Sequence, residues 1–289
     1  MSDAPNPTRK PSTTEHLLSL ADRQLHYTAH AEWQTLYERE KPVAEMFHVA
    51  YVAREHDSSQ STRPVTFVFN GGPGAASAYL HMGALGPNRV YFAAEGSLPK
   101  PPVKLVENAE TWLSFTDLVF IDPVGTGFSR SLPADKPESE KPAEKSSESD
   151  KSDNTDKPRE TEFWEVERDL NSLGEFIQRW LSRHKRWLSP IFIAGESYGG
   201  FRVARLARKL QQEFGVGLSG AILISPALEF SLLSSSDYNL TTWATLLPSF
   251  AAAAAHHGRA ESAGGNLLTQ LTAAELFARQ KLIPLLAMG

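Results

Sequence analysis

Between residues 24 and 54 apolar and polar positions alternate, through LHYTAH, WQTLYERE and VAEMFHVAYVARE, with many aromatic and β-branched side chains. A period of two with that content predicts the strands of an antiparallel hairpin or meander. The polar stretch HDSSQSTRP ends this region at Pro64. The pattern then changes to short, uninterrupted apolar runs: Val65–Phe69, then 118–121, 191–194 and Gly220–Ile224. Such runs predict strands covered on both faces. Helical periodicity over 163–187 and 201–214 separates the later runs. Strands alternating with helices predict a parallel, doubly wound α/β sheet that binds ligands beyond the C-terminal ends of its strands.

The flanking segments differ. Residues 1–20 are polar and proline-rich and are expected to form a disordered lead-in to a core spanning 21–227. Residues 131–160 are almost entirely Ser, Pro, Lys, Glu and Asp, so they are expected to form a flexible charged insertion that buries too little surface to offset its ordering entropy. From 228 to 289 the chain becomes alanine-rich and helical in pattern. No internal repeat is visible.

Composition narrows the function. The 289 residues carry a net charge of −5 with no basic stripe, which argues against nucleic acid as a partner. The absence of cysteine excludes a disulfide framework, a thiolate nucleophile and a cysteine-ligated zinc site. No run approaches the roughly 20 apolar residues of a membrane span, and the N-terminus lacks the apolar core of a secretory signal. These features lead us to expect a soluble, cytoplasmic protein with no membrane partner. No cluster has metal-ligand spacing, and no cofactor is expected.

Two glycine-rich turns carry candidate chemistry. Gly195-Glu196-Ser197-Tyr198-Gly199 fits G-x-S-x-G directly after a buried strand and directly before a helix. In that context the serine hydroxyl stands above the sheet beside N–H groups at a helix N-terminus. Asn70-Gly71-Gly72-Pro73-Gly74 follows an earlier strand. A loop of this kind brings a backbone N–H to the carbonyl under attack and, with the N–H of the residue after the nucleophile, forms an oxyanion hole.

N-G-G-P-G, D-x-P-x-G-x-G-F-S (from Asp122 to Ser129) and G-E-S-Y-G-G, in this order, resemble the serine carboxypeptidase family of α/β hydrolases, from about Tyr27 to about Ser225. The resemblance implies an α/β-hydrolase fold, and C-terminal residues of peptides or proteins as substrates. It implies Ser197 as nucleophile, Gly72 and Tyr198 as oxyanion-hole donors, and Asn70 and Glu196 as the grip on the substrate's terminal carboxylate. Glu196 hydrogen-bonds to a carboxylate only if one of the two is protonated, which raises the apparent pKa of the pair and suits acidic conditions. Two positions depart from the family pattern. Ala84 stands before Leu85-Gly86-Pro87 where a second glutamate of the carboxylate network is usual, and Ala75 replaces a disulfide-forming cysteine.

The rest of the triad is harder to place. In this fold an acid and a histidine follow the nucleophile on later strands. Beyond Ser197 only one buried run is visible, and the late candidates Asp237, His256 and His257 fit solvated helix or loop positions. The family pattern makes 228–289 the start of a helical cap and the sheet incomplete at the C-terminus, with the catalytic Asp and His beyond Gly289. A chain without them is expected to turn over little, by about 10⁶-fold for loss of a triad base. A proline aminopeptidase or esterase of the same fold, and a non-catalytic hydrolase-like binding protein, remain open. His81 could line the pocket or simply pack. Asp122 is expected to stabilise its own turn, and the Asn239-Leu240-Thr241 sequon has no expected role.

Overall fold

The computed structural model describes residues 10–54, 63–133, 159–233, 236, 239–259 and 266–288. Most of the predicted charged insertion, residues 134–158, lies outside them, as does Asp237. Two compact units divide the chain, residues 1–226 and 227–289.

The first unit is built on one large sheet. Its strands are β1 (Ser12–Ser19), β2 (Gln24–Glu38), β3 (Lys41–Arg54) and β4 (Val65–Phe69). The short helix α1 (Ala78–Leu80) follows, then β5 (Asn88–Val90), β6 (Leu105–Glu107), β7 (Asp117–Ile121) and β8 (Arg130–Ser131). The helix α2 (Val166–Arg183), β9 (Ile191–Glu196), α3 (Tyr198–Glu213) and β10 (Gly220–Ile224) complete the unit. The sheet runs in the order β1-β2-β3-β7-β4-β9-β10, with β8 also pairing β3, and β5 and β6 form a separate ribbon. Pairing is antiparallel from β1 through β3 to β7. It is parallel from β7 through β4 and β9 to β10.

The β2–β3 hairpin closes on Arg39 and Glu40, whose φ values of 47° and 67° are the two left-handed positions of a tight hairpin turn. The expected disordered lead-in is corrected over its second half. Ser12–Ser19 is a strand, paired along its whole length from Ser12 opposite Ala31 to Ser19 opposite Gln24. Only Leu18 of that strand is buried, so backbone pairing holds it without an apolar face for the sequence to display.

The first three apolar runs are explained by the two faces they serve, whereas the expectation for Gly220–Ile224 is corrected: in β10 Ala221 and Leu223 are exposed, so that strand is covered on one face only among the described residues. Phe67, Phe69, Val119, Ile121 and Ile193 pack into one cluster with Phe176, Ile177 and Trp180 of α2 and Val203, Leu206 and Leu210 of α3. Their neighbours Val68, Leu118, Phe120 and Ala194 pack into a second cluster with Leu80, Leu85 and Leu113. Successive strand residues point to opposite faces, so a strand covered on both must be apolar throughout. Each large side chain buried in this way stabilises the fold by about 1.5–3 kcal/mol.

A buried ion-pair network ties down the N-terminal ends of the central strands. Asp117, at the start of β7, accepts from Arg63 Nε at 2.8 Å, Arg186 Nη1 at 2.6 Å and the Ala53 N–H at 2.9 Å. Arg63 precedes β4 and Arg186 precedes β9. The opposite, C-terminal ends of β4 and β9 are thereby left to carry the glycine-rich turns.

The second unit is helical among its described residues, with α4 (Leu240–His256), α5 (Leu267–Phe277) and α6 (Ile283–Met288). Asn239 caps α4 by accepting from Thr242 N, and Asn266 caps α5 by accepting from Thr269 N at 2.9 Å. The sequon asparagine therefore has a structural role as a helix cap. No described helix is long and apolar enough to cross a membrane.

Candidate active site

Parallel pairing of β4 with β9 brings together two motifs that are far apart in sequence. Phe69, the last residue of β4, pairs with Gly195 of β9. The turns that follow these strands, starting at Asn70 and at Ser197, therefore leave the sheet side by side.

Ser197 sits on a strained corner. Its φ of 59° and ψ of −121° lie where non-glycine residues are rare, at a cost on the order of 1–3 kcal/mol. Its N–H donates to Ile224 O of β10 at 3.0 Å, and its carbonyl accepts from Gly200 N at 2.9 Å as α3 begins. Close packing explains the small residues on either side. A Cβ on Gly199 would lie 2.6 Å from Phe69 O. A Cβ on Gly71 would lie 2.5 Å from Tyr198 N and 2.6 Å from Gly199 N. The backbone of the first glycine-rich turn thus lies directly against the N–H groups that open α3, where the helix dipole favours negative charge.

Asn70, Gly71, Gly72, Ala75, Tyr79, Leu80, Glu196 and Ser197 line one cleft of about 430 Å³. Asn70 is buried and fixed at both ends of its amide. Its Oδ1 accepts from Leu80 N at 3.0 Å, and its Nδ2 donates to Glu196 Oε2 at 3.0 Å. The structure thus brings four of the five sequence-predicted residues (Ser197, Gly72, Asn70 and Glu196) onto one cleft, and places the backbone N of the fifth, Tyr198, against its glycine wall.

The region matched by the serine carboxypeptidase family model is residues 26–231, most of the chain. The chain belongs to the serine carboxypeptidase family. It is 30% identical over 167 residues to serine carboxypeptidase-like 13 of Arabidopsis thaliana, covering 56% of this chain and 32% of that one. It is 29% identical over 198 residues to serine carboxypeptidase-like 45 of the same plant, covering 65% and 34%. The chain thus spans about a third of the length of these curated relatives. Among solved structures it is similar to KEX1(DELTA)P, a prohormone-processing carboxypeptidase from Saccharomyces cerevisiae, at 19% identity and a TM-score of 0.46, covering 87% of this chain and 53% of that one. The fold is that of the α/β hydrolases.

The third family motif, from Asp122 to Ser129, braces the site without lining it. The Asp122 carboxylate accepts from Ser77 N at 2.9 Å and Phe128 N at 3.4 Å. Ser129 Oγ donates to Asp122 O at 2.7 Å and accepts from Phe47 N at 2.7 Å. Asp122 therefore stabilises its own turn, as expected, and also holds the segment entering α1. Burial pushes its carboxyl upward, against the pull of the two N–H groups. Ala84, at the position of the usual second glutamate, is exposed, and its carbonyl accepts from Asn108 Nδ2 at 2.7 Å.

None of the eight cleft residues is a histidine. His81 packs instead: it stacks on Phe120 at 4.5 Å between ring centroids, and its Nε2 is 2.6 Å from Tyr51 Oη. His256 and His257 belong to the second unit, at the C-terminal end of α4. Among the described residues, no group of three or more His, Cys, Asp or Glu side chains is arranged to hold a metal ion.

Burial pushes the His81 imidazole down to about 4. The unfolded chain takes up this proton near 6.5. The stability that neutral His81 contributes is therefore intact above about pH 6.5 and is lost as the pH falls towards about 4. We expect the thermal midpoint to fall across that window, and to fall less in His81→Gln. Equal slopes in the two proteins would show that His81 does not titrate in this way.

Two residues of the site were not foreseen. Arg202, on α3, and Asp169, on α2, are both buried and paired, Arg202 Nε to Asp169 Oδ2 at 2.7 Å and Nη2 to Oδ1 at 3.2 Å. Burial pushes the Asp169 carboxyl upward and the Arg202 charge pulls it back. A signal was available: Arg202 lies beside Val203 on the face of α3 that buries Gly199, Leu206 and Leu210, where a charge needs a buried partner.

Proposed function

We propose that the protein is a serine-type carboxypeptidase that removes C-terminal residues through an acyl-enzyme on Ser197. The observation that carries this reading is the Asn70–Glu196 hydrogen bond beside Ser197. It is an amide and a carboxyl group held together in the same cleft as a strained serine at a helix N-terminus. Ser197 Oγ attacks the last peptide carbonyl. Charge developing on the carbonyl oxygen meets the N–H groups of Gly72 and Tyr198. The C-terminal amino acid leaves, and water releases the acyl group. Asn70 and Glu196 receive the terminal carboxylate of the substrate. Attack on the carbonyl also needs a base to take the serine proton, and no histidine is among the described residues that line the cleft. The reading therefore assigns to these 289 residues the nucleophile, the oxyanion donors and the carboxylate grip.

The test uses the protein encoded by the complete reading frame. Paired peptides that differ only in a free or an amidated C-terminus should differ by about 10²-fold or more in kcat/KM, because an amide cannot replace the carboxylate that the part-buried Asn70–Glu196 pair is proposed to receive. Asn70→Ala and Glu196→Ala should shrink that ratio chiefly by slowing the free acid. Equal rates on the two peptides would remove the carboxylate role and leave an esterase or aminopeptidase reading of the same nucleophile.

A further inference from the structure

Arg202 is five residues beyond Ser197 and does not line the cleft, yet its guanidinium is where the parts of the site converge. Besides the two hydrogen bonds to Asp169, its Nη1 donates to Asn70 O at 2.6 Å and its Nη2 to Pro73 O at 3.1 Å. Its Cζ lies 5.1 Å from the centroid of the Tyr198 ring. Asn70 and Pro73 bracket Gly71 and Gly72, and Tyr198 follows the nucleophile. One side chain, 2% exposed, thus joins both proposed sources of oxyanion donors and the backbone of the carboxylate-gripping asparagine.

We propose that Arg202 is a positioning residue for the Ser197 site, clamping the Asn70–Gly74 turn onto the start of α3, with Asp169 as its anchor. This inference rests on the reading of Ser197 as nucleophile. The rigid fork of a guanidinium suits the task, since it reaches two carbonyls and a carboxylate in one plane. Asp169 keeps the charge balanced and fixes the direction of the fork. Without the clamp, the Asn70 side chain and the close packing at Gly71 still hold the turn, but the carbonyls of Asn70 and Pro73 lose the fixed donor that sets its position over α3. An oxyanion donor displaced by a fraction of an ångström loses most of its effect.

The test compares wild type with Arg202→Lys and with the double variant Asp169→Asn/Arg202→Gln, all in the protein encoded by the complete reading frame. Lysine keeps the charge but loses the fork. The double variant replaces the ion pair by a neutral hydrogen-bonded pair, which buried sites commonly tolerate. The readouts are the rate of fluorophosphonate capture at Ser197, kcat and KM on the paired acid and amide peptides, and the thermal midpoint. In both variants we expect capture and kcat to fall together, by about 10- to 100-fold, with a smaller change in KM and a loss that persists well below the thermal midpoint. Capture and kcat within two-fold of wild type in either folded variant would overturn the proposal. So would a loss that merely tracks the unfolded fraction. If wild type fails to distinguish acid from amide, the carboxypeptidase reading falls while the effect on capture still decides the role of Arg202. If wild type distinguishes them and capture is unchanged, the clamp alone is wrong.

Discussion

Replacing Ser197 with alanine should lower kcat/KM by about 10⁵- to 10⁶-fold on any substrate that the enzyme turns over. The loss should come with little change in stability. Ser197 holds its φ of 59° through backbone hydrogen bonds to Ile224 O and from Gly200 N, which alanine keeps. Alanine and serine carry the same Cβ, so the strain of the corner is not relieved. Steady-state kinetics and a thermal melt check both halves of this expectation. Retention of more than about 1% of the wild-type rate would show that another group carries the reaction.

Gly71→Ala should have the second-largest effect, and for a geometric reason. The added Cβ would meet Tyr198 N at 2.5 Å and Gly199 N at 2.6 Å, and neither is the end of a flexible side chain. Relief requires the turn to lift away from α3, which pulls the Gly72 and Tyr198 N–H groups apart. Losing the action of one oxyanion donor costs about 10²- to 10³-fold in kcat, and overpacking adds about 1–3 kcal/mol of destabilisation. Gly83→Ala is the matched control, because a Cβ there meets nothing within 4 Å. Kinetics of the two variants should therefore separate cleanly, with Gly83→Ala close to wild type. Comparable activity in both would mean that the close approach of the turn to α3 does not matter for turnover.

The central strands were legible because both of their faces are covered. Val65–Phe69 reads as one apolar run, and in the structure its residues divide between two clusters on opposite faces. The site was legible for a different reason. Glycines at 71 and 199 are demanded by close backbone contacts, and the serine between them by the chemistry proposed for it, so together they leave a pattern in the sequence. Strand β1 left none, since its exposed side chains contribute little beyond a backbone ladder. The two-residue turn at Arg39 and Glu40 was equally silent, because the residues usually found at left-handed positions are absent. Arg202 and Asp169 are a third case. The place of Arg202 on the apolar face of α3 signals that it needs a buried partner, but only the alignment of α2 with α3 shows that the partner is Asp169.

The central claim is that the strained serine at the head of α3 is the reacting group. It is tested most directly by treating the protein with a fluorophosphonate and mapping the adduct by peptide mass spectrometry. The account predicts one adduct per chain, on Ser197 and absent from Ser197→Ala. An adduct on a different residue, or none on Ser197, would contradict it.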